Sequence, residues 1–403
     1  MTGQSVGYVA TRCYQVLEKA NDPEPDQVTW HVLSHVLEWS WERGYRQVQD
    51  DYHHYQQQQQ RQQQPNHGGN NTSSVTVLTT AQSQQLQHLL YRRLTTLEPL
   101  QYLVGQWDFY QSTFTIRPPL LCPRPETEEL VHHVLTQLQQ RGTTTKSVGK
   151  LSTADPTTDT VLRLLDVGCG TGCIGISILQ SLLQQQQQVS SNNNNTFPWS
   201  SIQVTAIDVE PIAIATSLEN AHRVLSKTVL DTDLSVTTNN TAVVVEKPTM
   251  DGPQPLASFT VCLVGAEEYT GLDDDDPRHR FDVVVSNPPY IPTSDMETLD
   301  PTVLHHESWT ALCGDVATDN SAIAETPSTR SKDGMDIIRT IVDQLPFWCH
   351  VTASCWMEVD PSQPTKLQVE LEDNPFVDFV HSYTDFCGRD RFVQIRVAQT
   401  RHK

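Results

Sequence analysis

The sequence predicts an α/β protein in which a Rossmann-like sheet follows an N-terminal helical domain. Three apolar runs, Val161 to Leu165, Ile202 to Ile207 and Phe281 to Val285, are separated by helical patterns, which is typical of a parallel sheet. Glycines follow the first run, where a nucleotide-binding fold turns from strand into helix. The first hundred residues instead place apolar side chains at helical spacing.

The N-terminal domain is predicted to span residues 1–105 and to be a bundle of helices. A second helical pattern runs from Ala81 through Leu97. Between the helices, Tyr52 to about Asn71 is rich in glutamine, and such a tract buries too little apolar surface to offset the entropy of ordering it. We therefore expect a disordered insertion at about 52–75. The helical spacing of the first fifty residues is carried by Val28, Val32, Leu33, Val36, Leu37 and Trp41.

A β-hairpin is predicted to join the two domains over residues 106–122. Trp107 to Tyr110 and Phe114 to Ile116 alternate apolar and polar side chains around a short polar turn. Pro118 and Pro119 end the pattern because proline cannot continue a strand ladder.

The second domain is predicted to span residues 123–403. It opens with an amphipathic helix from Glu126 to Leu138, with Thr127 as a candidate cap and acidic residues complementing the helix dipole. Three stretches are predicted to be insertions, because they are rich in polar residues or are too long for a simple connection between two elements. They are about 183–198, 226–280 and 315–332.

Composition restricts the classes of function. The chain has 27 basic and 48 acidic side chains, a formal charge of -21, which repels a phosphate backbone, so we expect no stable nucleic-acid binding. Its nine cysteines show no CxxC pair or ligand array, so we expect no metal. No apolar run approaches the roughly 20 residues that span a bilayer, and no transit peptide is visible.

A nucleoside site is predicted at the glycine-rich segment. Asp166 closes a buried strand, glycines follow, and Asp208 closes the next strand, where an acid receives both ribose hydroxyls. The looser dinucleotide fingerprint also fits Gly170 to Gly175, but Asp166 directly before the glycines suits a cationic sulfonium better than a pyrophosphate. The predicted cofactor ligands, with Asn287 added from the motif below, are Asp166, Gly168, Cys169, Gly170, Thr171, Gly172 and Asp208.

An acceptor site is predicted at Asn287-Pro288-Pro289-Tyr290, which follows the third apolar strand. An amide nitrogen is a poor nucleophile because its lone pair is delocalised, so catalysis must come from geometry. The Asn287 oxygen and the Pro288 carbonyl can each accept one N–H of a planar NH2 group. Pro289 holds that carbonyl outward, and Tyr290 can stack on the flat acceptor. These four residues are the predicted catalytic set, and a Pro-rich turn is the structural alternative.

These motifs resemble the HemK/PrmC family of protein glutamine methyltransferases. Pro99 to Tyr110 looks like the family's hairpin entrance and Pro123 to Val131 like its domain junction. Trp356 to Val359 with Gln363, and Asp385 to Phe392, resemble its last strands. The resemblance implies transfer of a methyl group from S-adenosylmethionine to the glutamine side-chain nitrogen in the Gly-Gly-Gln loop of a class I peptide release factor.

The resemblance also implies finer features. One antiparallel strand should close the sheet, the helical domain should help to dock the release factor, and Arg124 and Glu126 should join Asn287, Pro288 and Tyr290 at the substrate. Arg124 could instead pair with an acid across the cofactor pocket. Two family segments, Ala311 to Gly314 and Asp333 to Asp336, are split by an insertion.

Two other functions stay open at this stage. A nucleic-acid methyltransferase acting on the N6 of adenine or another exocyclic amine would use the same acceptor geometry, although the charge disfavours it. A catalytically silent cofactor-binding module would keep the fold without turnover. By family analogy we expect a mitochondrial or plastid location, with the cytoplasm as the alternative. The sequence makes no prediction of oligomeric state.

Overall fold

The computed structural model describes residues 4–39, 41–62, 76–144, 160–190, 197–229, 234–247, 254–271, 280–316 and 332–398. The chain forms two compact units. The helical unit comprises residues 1–106 and 300–306, and the sheet unit comprises residues 107–299 and 307–403. The helical unit therefore includes a short segment from the second half of the sequence, which the predicted boundary at residue 105 did not include.

The secondary structure follows in chain order. The helices are α1 (Val6–Lys19), α2 (Pro25–Val36), α3 (Trp41–Gln62), α4 (Thr80–Thr96), α5 (Leu100–Val104), α6 (Pro125–Thr144), α7 (Cys173–Ser190), α8 (Pro211–Thr228), α9 (Pro301–Leu304), α10 (Trp309–Leu312), α11 (Asp336–Trp348) and α12 (Gln363–Leu371). The strands are β1 (Gln106–Phe109), β2 (Ser112–Thr115), β3 (Val161–Val167), β4 (Ser201–Asp208), β5 (Ser235–Thr238), β6 (Ala242–Lys247), β7 (Gln254–Leu263), β8 (Phe281–Ser286), β9 (Cys349–Glu358), β10 (Val377–Thr384) and β11 (Asp390–Val397).

The glutamine-rich tract is helical where the structure describes it. Helix α3 continues to Gln62, so the prediction of disorder from residue 52 is wrong over that stretch. Glutamine has a good helix propensity, and α3 gains tertiary contacts on one side. The Tyr52 ring lies 4.8 Å from that of Trp30, and Gln56 donates a 3.0 Å hydrogen bond to Thr11. The rest of the predicted insertion lies outside the described residues.

A buried ion pair lies inside the helical unit. Arg93 donates to both carboxylate oxygens of Asp22, from Nε at 2.7 Å and from Nη2 at 3.0 Å. Its Nη1 donates to the Glu98 carbonyl at 3.0 Å. Both charged side chains are only 1% exposed, so each depends on the other for compensation of its lost hydration.

The sheet unit is built on one nine-stranded sheet with the order β10-β11-β9-β8-β3-β4-β7-β6-β5. Strands β9, β8, β3, β4 and β7 are parallel. The α/β fold class is therefore as predicted, and β3, β4 and β8 match the three predicted strands. Their carboxyl ends lie at one edge of the sheet, which is where an open α/β sheet binds ligands.

Two predictions about the sheet are wrong. Antiparallel strands flank the parallel core on both sides, β11 and β10 at one edge and β6 and β5 at the other, rather than one strand at one edge. Strands β5, β6 and β7 occupy much of the stretch 226–280, which was predicted to be an insertion. Strand β7 adds to the sheet because Ala257, Phe259 and Val261 alternate into the core.

The other predicted insertions are described in part. Helix α7 extends through the glutamine run to Ser190, so the insertion predicted from residue 183 is wrong as far as that residue. Gln186 is buried and donates to the Trp199 carbonyl at 3.4 Å. Residues 191–196 and 317–331, and with them most of the third predicted insertion, lie outside the described residues. The predicted hairpin is present as the two-stranded sheet of β1 and β2.

Candidate active site

The glycine loop between β3 and α7 has two open positions and one packed position. Gly168, Gly170 and Gly172 have φ angles of +70°, +53° and +78°, a region that L side chains rarely adopt. A Cβ added at Gly168 or Gly170 would meet nothing within 4 Å, whereas at Gly172 it would lie 2.7 Å from Ile176 Cδ1 and 2.9 Å from Ser217 Cβ. The first two glycines therefore leave room for a ligand, and the third allows close packing.

Asp208 at the end of β4 is bonded to this loop. Its Oδ2 accepts the Gly170 backbone N–H at 2.9 Å, and its Oδ1 accepts the Glu210 backbone N–H at 2.9 Å. Burial raises the pKa of the Asp208 carboxyl, and the two backbone donors oppose that rise. The carboxylate is thus held beside the open side of the loop.

Asp166 lies beneath the loop and not on a cavity wall. The residue is fully buried, and its Oδ2 accepts the Gly175 N–H at 2.9 Å. Within the described residues its Oδ1 has no hydrogen-bond partner. Burial raises the Asp166 pKa to about 7. The predicted contact between Asp166 and the cofactor therefore does not match its position, which is that of a support for the start of α7.

One cavity of about 420 Å³ brings the two predicted sites together. Gly168 to Thr171 and Asp208 line it, and so do Asn287 and Pro289. The turn after β7, Val264 to Glu268, also lines the cavity. This turn lies within the insertion that was predicted at 226–280. Gly172, Pro288 and Tyr290 are not among the lining residues.

The Asn287 side chain has a defined hydrogen bond on one side only. Its Nδ2 donates to Thr127 Oγ1 at 3.2 Å. No described residue donates to its Oδ1 or to the carbonyl of Pro288, which is itself a buried residue. The Asn287 oxygen therefore keeps its acceptor capacity at the cavity.

Tyr290 is turned toward a buried acid. Its hydroxyl donates to Glu358 Oε1 at 3.3 Å, and the guanidinium of Arg391 lies 5.5 Å from its ring centroid. Burial raises the pKa of the Tyr290 hydroxyl, and the neighbouring Glu358 charge adds to that rise. The predicted stacking of Tyr290 on the acceptor does not match this placement.

Two glycines hold the backbone of the Asn287 to Tyr290 loop from behind. A Cβ at Gly314 would lie 2.0 Å from the Gly334 carbonyl oxygen and 2.7 Å from that of Pro289. Gly334 has a φ of +72°, and a Cβ there would lie 2.2 Å from the Tyr290 carbonyl oxygen. The two family segments that an insertion splits in the sequence are therefore in contact, and only glycine fits at either point.

Arg124 and Glu126 form ion pairs and do not line the cavity. Arg124 Nη2 contacts both carboxylate oxygens of Glu307, at 2.9 and 2.7 Å, and the Glu307 side chain is 1% exposed. Arg124 therefore pairs with an acid, but neither Arg124 nor Glu307 lines the cavity, so the alternative that this pair lies across the cofactor pocket stays a prediction. Glu126 lies 3.3 Å from Arg389. Their predicted contacts with substrate stay predictions.

Two residues in the site were missed by sequence reasoning. Thr127 lies inside the first turn of α6 rather than before it, and it lines the cavity. Its hydroxyl donates to Glu358 Oε2 at 2.6 Å. Glu358 closes the buried strand β9, as Asp208 closes β4, and that shared position was the available signal.

The described residues show neither a metal-binding cluster nor a membrane-spanning helix. They contain no group of three or more His, Cys, Asp or Glu side chains that could hold a metal ion. None of the helices resolved within those ranges has both the length and the apolarity to cross a membrane.

Known proteins were compared with the chain. No protein-family model matches it. It is 31% identical over 320 residues to the MTRF1L release factor glutamine methyltransferase of Homo sapiens, covering 78% of this chain and 72% of that protein. It is 26% identical over 300 residues to the release factor glutamine methyltransferase of Deinococcus radiodurans, covering 74% and 75%.

One solved structure shows a weak likeness to the chain. The ribosomal protein L11 methylase of Lactobacillus delbrueckii has a TM-score of 0.33 and 13% identity, covering 70% of this chain and 82% of that one.

Proposed function

Because the chain belongs to the release factor glutamine methyltransferase family, we propose that it uses S-adenosylmethionine to methylate the glutamine of the Gly-Gly-Gln loop in a class I peptide release factor. Methylation of a release-factor glutamine is the activity of the family. The cofactor, the loop and the factor class are the finer part of the proposal. The observation that supports them is the single cavity lined by both the Gly168–Thr171 loop and Asn287.

The residues at the glycine loop fit the cofactor. The space above Gly168 and Gly170 leaves room for a nucleoside, and the Asp208 carboxylate can accept hydrogen bonds from both ribose hydroxyls. A volume of about 420 Å³ lies within the range of small-ligand sites. When bound there, S-adenosylmethionine supplies an electrophilic methyl group.

The chain's own contribution is to orient the acceptor. The Asn287 Oδ1 accepts one N–H of the glutamine amide, and the Pro288 carbonyl accepts the other. Both bonds strengthen as positive charge develops on nitrogen, so they stabilise the transition state more than the ground state. Holding the reacting nitrogen in line removes an entropic barrier of several kcal/mol. The nitrogen then loses its proton to solvent.

The rival activities make different use of the same cavity. Methylation of a nucleic-acid amine requires a phosphate-binding surface, and a net charge of -21 opposes one. A silent cofactor-binding module has no use for the unbonded acceptor oxygen of Asn287.

The test is a methyl-transfer assay with three acceptors. Purified protein and radiolabelled S-adenosylmethionine are incubated with a class I release factor, its loop Gln→Ala variant, and duplex DNA. We expect label on the unmodified release factor alone. Equal label on the Gln→Ala variant would overturn the glutamine assignment, and label on DNA would favour the nucleic-acid alternative.

Asn287→Ala tests the acceptor role directly. It should abolish turnover while changing the cofactor Kd by less than about 3-fold, because Asn287 holds the acceptor and not the nucleoside. Turnover comes from the assay above and Kd from calorimetry. A large loss of cofactor affinity would show that Asn287 belongs to the cofactor site, where it is also predicted as a ligand.

We further propose that the chain serves organellar translation, on the family analogy alone. Imaging of the tagged full-length protein in its native cells distinguishes mitochondrion, plastid and cytoplasm. A purely cytoplasmic signal would overturn this proposal and leave the glutamine activity untouched.

A further inference from the structure

We propose that Glu358, acting through Thr127, is a positioning residue that determines which end of the Asn287 amide faces the acceptor. The inference rests on the proposed function, because it assumes that the Asn287 oxygen holds the glutamine NH2 group. It concerns two residues that neither touch the transferred methyl group nor belong to the Asn287 to Tyr290 motif.

The three side chains form one continuous chain of hydrogen bonds. Asn287 Nδ2 donates to Thr127 Oγ1 at 3.2 Å, and the Thr127 hydroxyl donates to Glu358 Oε2 at 2.6 Å. Thr127 is 2% exposed and Glu358 1% exposed, so water does not compete for these bonds. Thr127 and Asn287 line the cavity, and Glu358 lies behind them.

The donor direction follows from the chemistry of each group. Burial raises the pKa of the Glu358 carboxyl, while the Thr127 and Tyr290 hydroxyls and the charge of Arg391 oppose that rise. In its ionised form the carboxylate accepts hydrogen bonds and donates none, so it takes the only proton that the Thr127 hydroxyl has. Thr127 then offers a lone pair, which only the NH2 end of the Asn287 amide can use. The oxygen of Asn287 is thereby directed away from Thr127, where it can accept from the substrate.

Without this chain the amide has two nearly equivalent orientations. An asparagine amide is close to symmetric in shape, so its orientation is determined by its hydrogen-bond partners. In the reversed orientation the Asn287 NH2 group would face the NH2 group of the glutamine, and two donors repel. Only the orientation fixed by Thr127 is productive.

Glu358 also holds the other end of the acceptor loop. Its Oε1 accepts the Tyr290 hydroxyl at 3.3 Å, while its Oε2 accepts Thr127. One buried carboxylate therefore contacts, directly or through one hydroxyl, both residues that flank Pro288 and Pro289. Burying a charge is costly, and its attachment at both ends of this loop gives that charge a role beyond packing.

The matched pair Thr127→Val and Thr127→Ser tests the inference. Valine keeps the shape and removes the hydroxyl, whereas serine keeps the hydroxyl. We expect Thr127→Val to lower kcat about 10- to 100-fold, the usual effect of losing an orienting partner, with the cofactor Kd and the release-factor KM within about 3-fold of wild type. Thr127→Ser should keep kcat within about 3-fold of wild type.

Glu358→Gln tests the far end of the chain. A glutamine amide can donate to Thr127 as well as accept, so the donor direction is no longer fixed and kcat should fall at least about 10-fold. Thermal unfolding of every variant monitors folding, and the Thr127 pair decides the question if Glu358→Gln does not fold.

The outcomes separate this inference from the function on which it rests. Failure of the wild-type protein to label the release factor would overturn the proposed function. Labelling by wild type together with full kcat in Thr127→Val would overturn the positioning role alone. A Thr127→Ser variant as slow as Thr127→Val would also overturn it, because packing rather than the hydroxyl would then explain the loss.

Discussion

Substitution of Asp208 by asparagine should weaken cofactor binding by an amount that the structure allows us to estimate. The carboxylate accepts two backbone N–H groups, each at 2.9 Å, one from Gly170 and one from Glu210. In the proposed complex the same two oxygens also accept the ribose hydroxyls; asparagine keeps one acceptor oxygen and turns the other into a donor, so at least one charge-assisted bond from the ribose is lost. Such a bond contributes about 1.5–3 kcal/mol, which is about 10- to 150-fold in Kd.

Calorimetric titration with S-adenosylmethionine and with S-adenosylhomocysteine measures this loss. The ribose is common to both ligands, so the fold-loss should be the same for each. The matched control is Asp378→Asn on the edge strand β10, where the acid pairs with Arg396 at 3.1 Å, away from the cavity. It should bind both ligands as wild type does.

Two results would refute the reasoning. If Asp208→Asn binds the cofactor within about 3-fold of wild type, the carboxylate is not a ribose ligand. If the loss is much larger for the sulfonium than for the neutral sulfide, Asp208 acts through its charge and not through hydroxyl recognition.

Three further predictions concern folding and stability. Gly172→Ala should lower the free energy of unfolding by about 1–3 kcal/mol, because its Cβ has no room at a positive φ. Gly170→Ala has the strain of a positive φ without the clash, so it should lose less stability and should weaken cofactor affinity; equal losses of unfolding free energy in urea titrations would contradict this. Asp22→Ala leaves Arg93 buried without its carboxylate partner and should lower the free energy of unfolding by about 3–5 kcal/mol in a denaturant titration. A loss under about 1 kcal/mol would contradict this prediction. The pKa of Asp166 is about 7 in the folded protein and 3.8 for an ordinary aspartate, so the folded state binds this proton more tightly than the unfolded state does. The contribution of Asp166 to stability is therefore greatest below pH 4 and is lost as the pH rises through 7. Relative to Asp166→Asn, the wild-type protein should therefore lose up to about 4 kcal/mol of unfolding free energy between pH 4 and 7. If the unfolding free energies of the two proteins change in parallel with pH, this prediction is wrong.

The elements that carry the cofactor and acceptor motifs could be predicted from the sequence. A central parallel strand is buried on both faces, so β3, β4 and β8 appear as uninterrupted apolar runs. Their predicted site residues end the strand, as Asp208 does, or come directly after it, as Asn287 does. One edge of the sheet then collects these residues into a single cavity.

The strands between Ser226 and Arg280 could not be predicted as easily. Strand β5 is largely exposed, so little apolar signal marks it. Strand β7 does alternate, with Ala257, Phe259 and Val261 inward, but polar segments surround it and the length of the region favoured a loop. At the glutamine runs, composition predicted insertions, but the described parts of these runs are helical. Contacts with packing partners decide between helix and disorder there, and composition alone does not show those contacts.

The link between Thr127 and Glu358 was beyond sequence reasoning. The two residues are 231 positions apart, and nothing local to either one indicates its partner. Thr127 fits the pattern of a helix cap, and Glu358 that of an acid ending a strand. Only the folded sheet brings α6 and β9 together.

The contact between Gly314 and Gly334 has a consequence for how this enzyme tolerates change. The chain leaves the acceptor loop at one of these glycines and returns at the other, and their backbones touch. Doubling the length of a connection between two fixed points costs only about 0.6 kcal/mol. The number of residues between the two glycines can therefore change at little cost, while the backbone of Pro289 and Tyr290 stays held against the glycine pair.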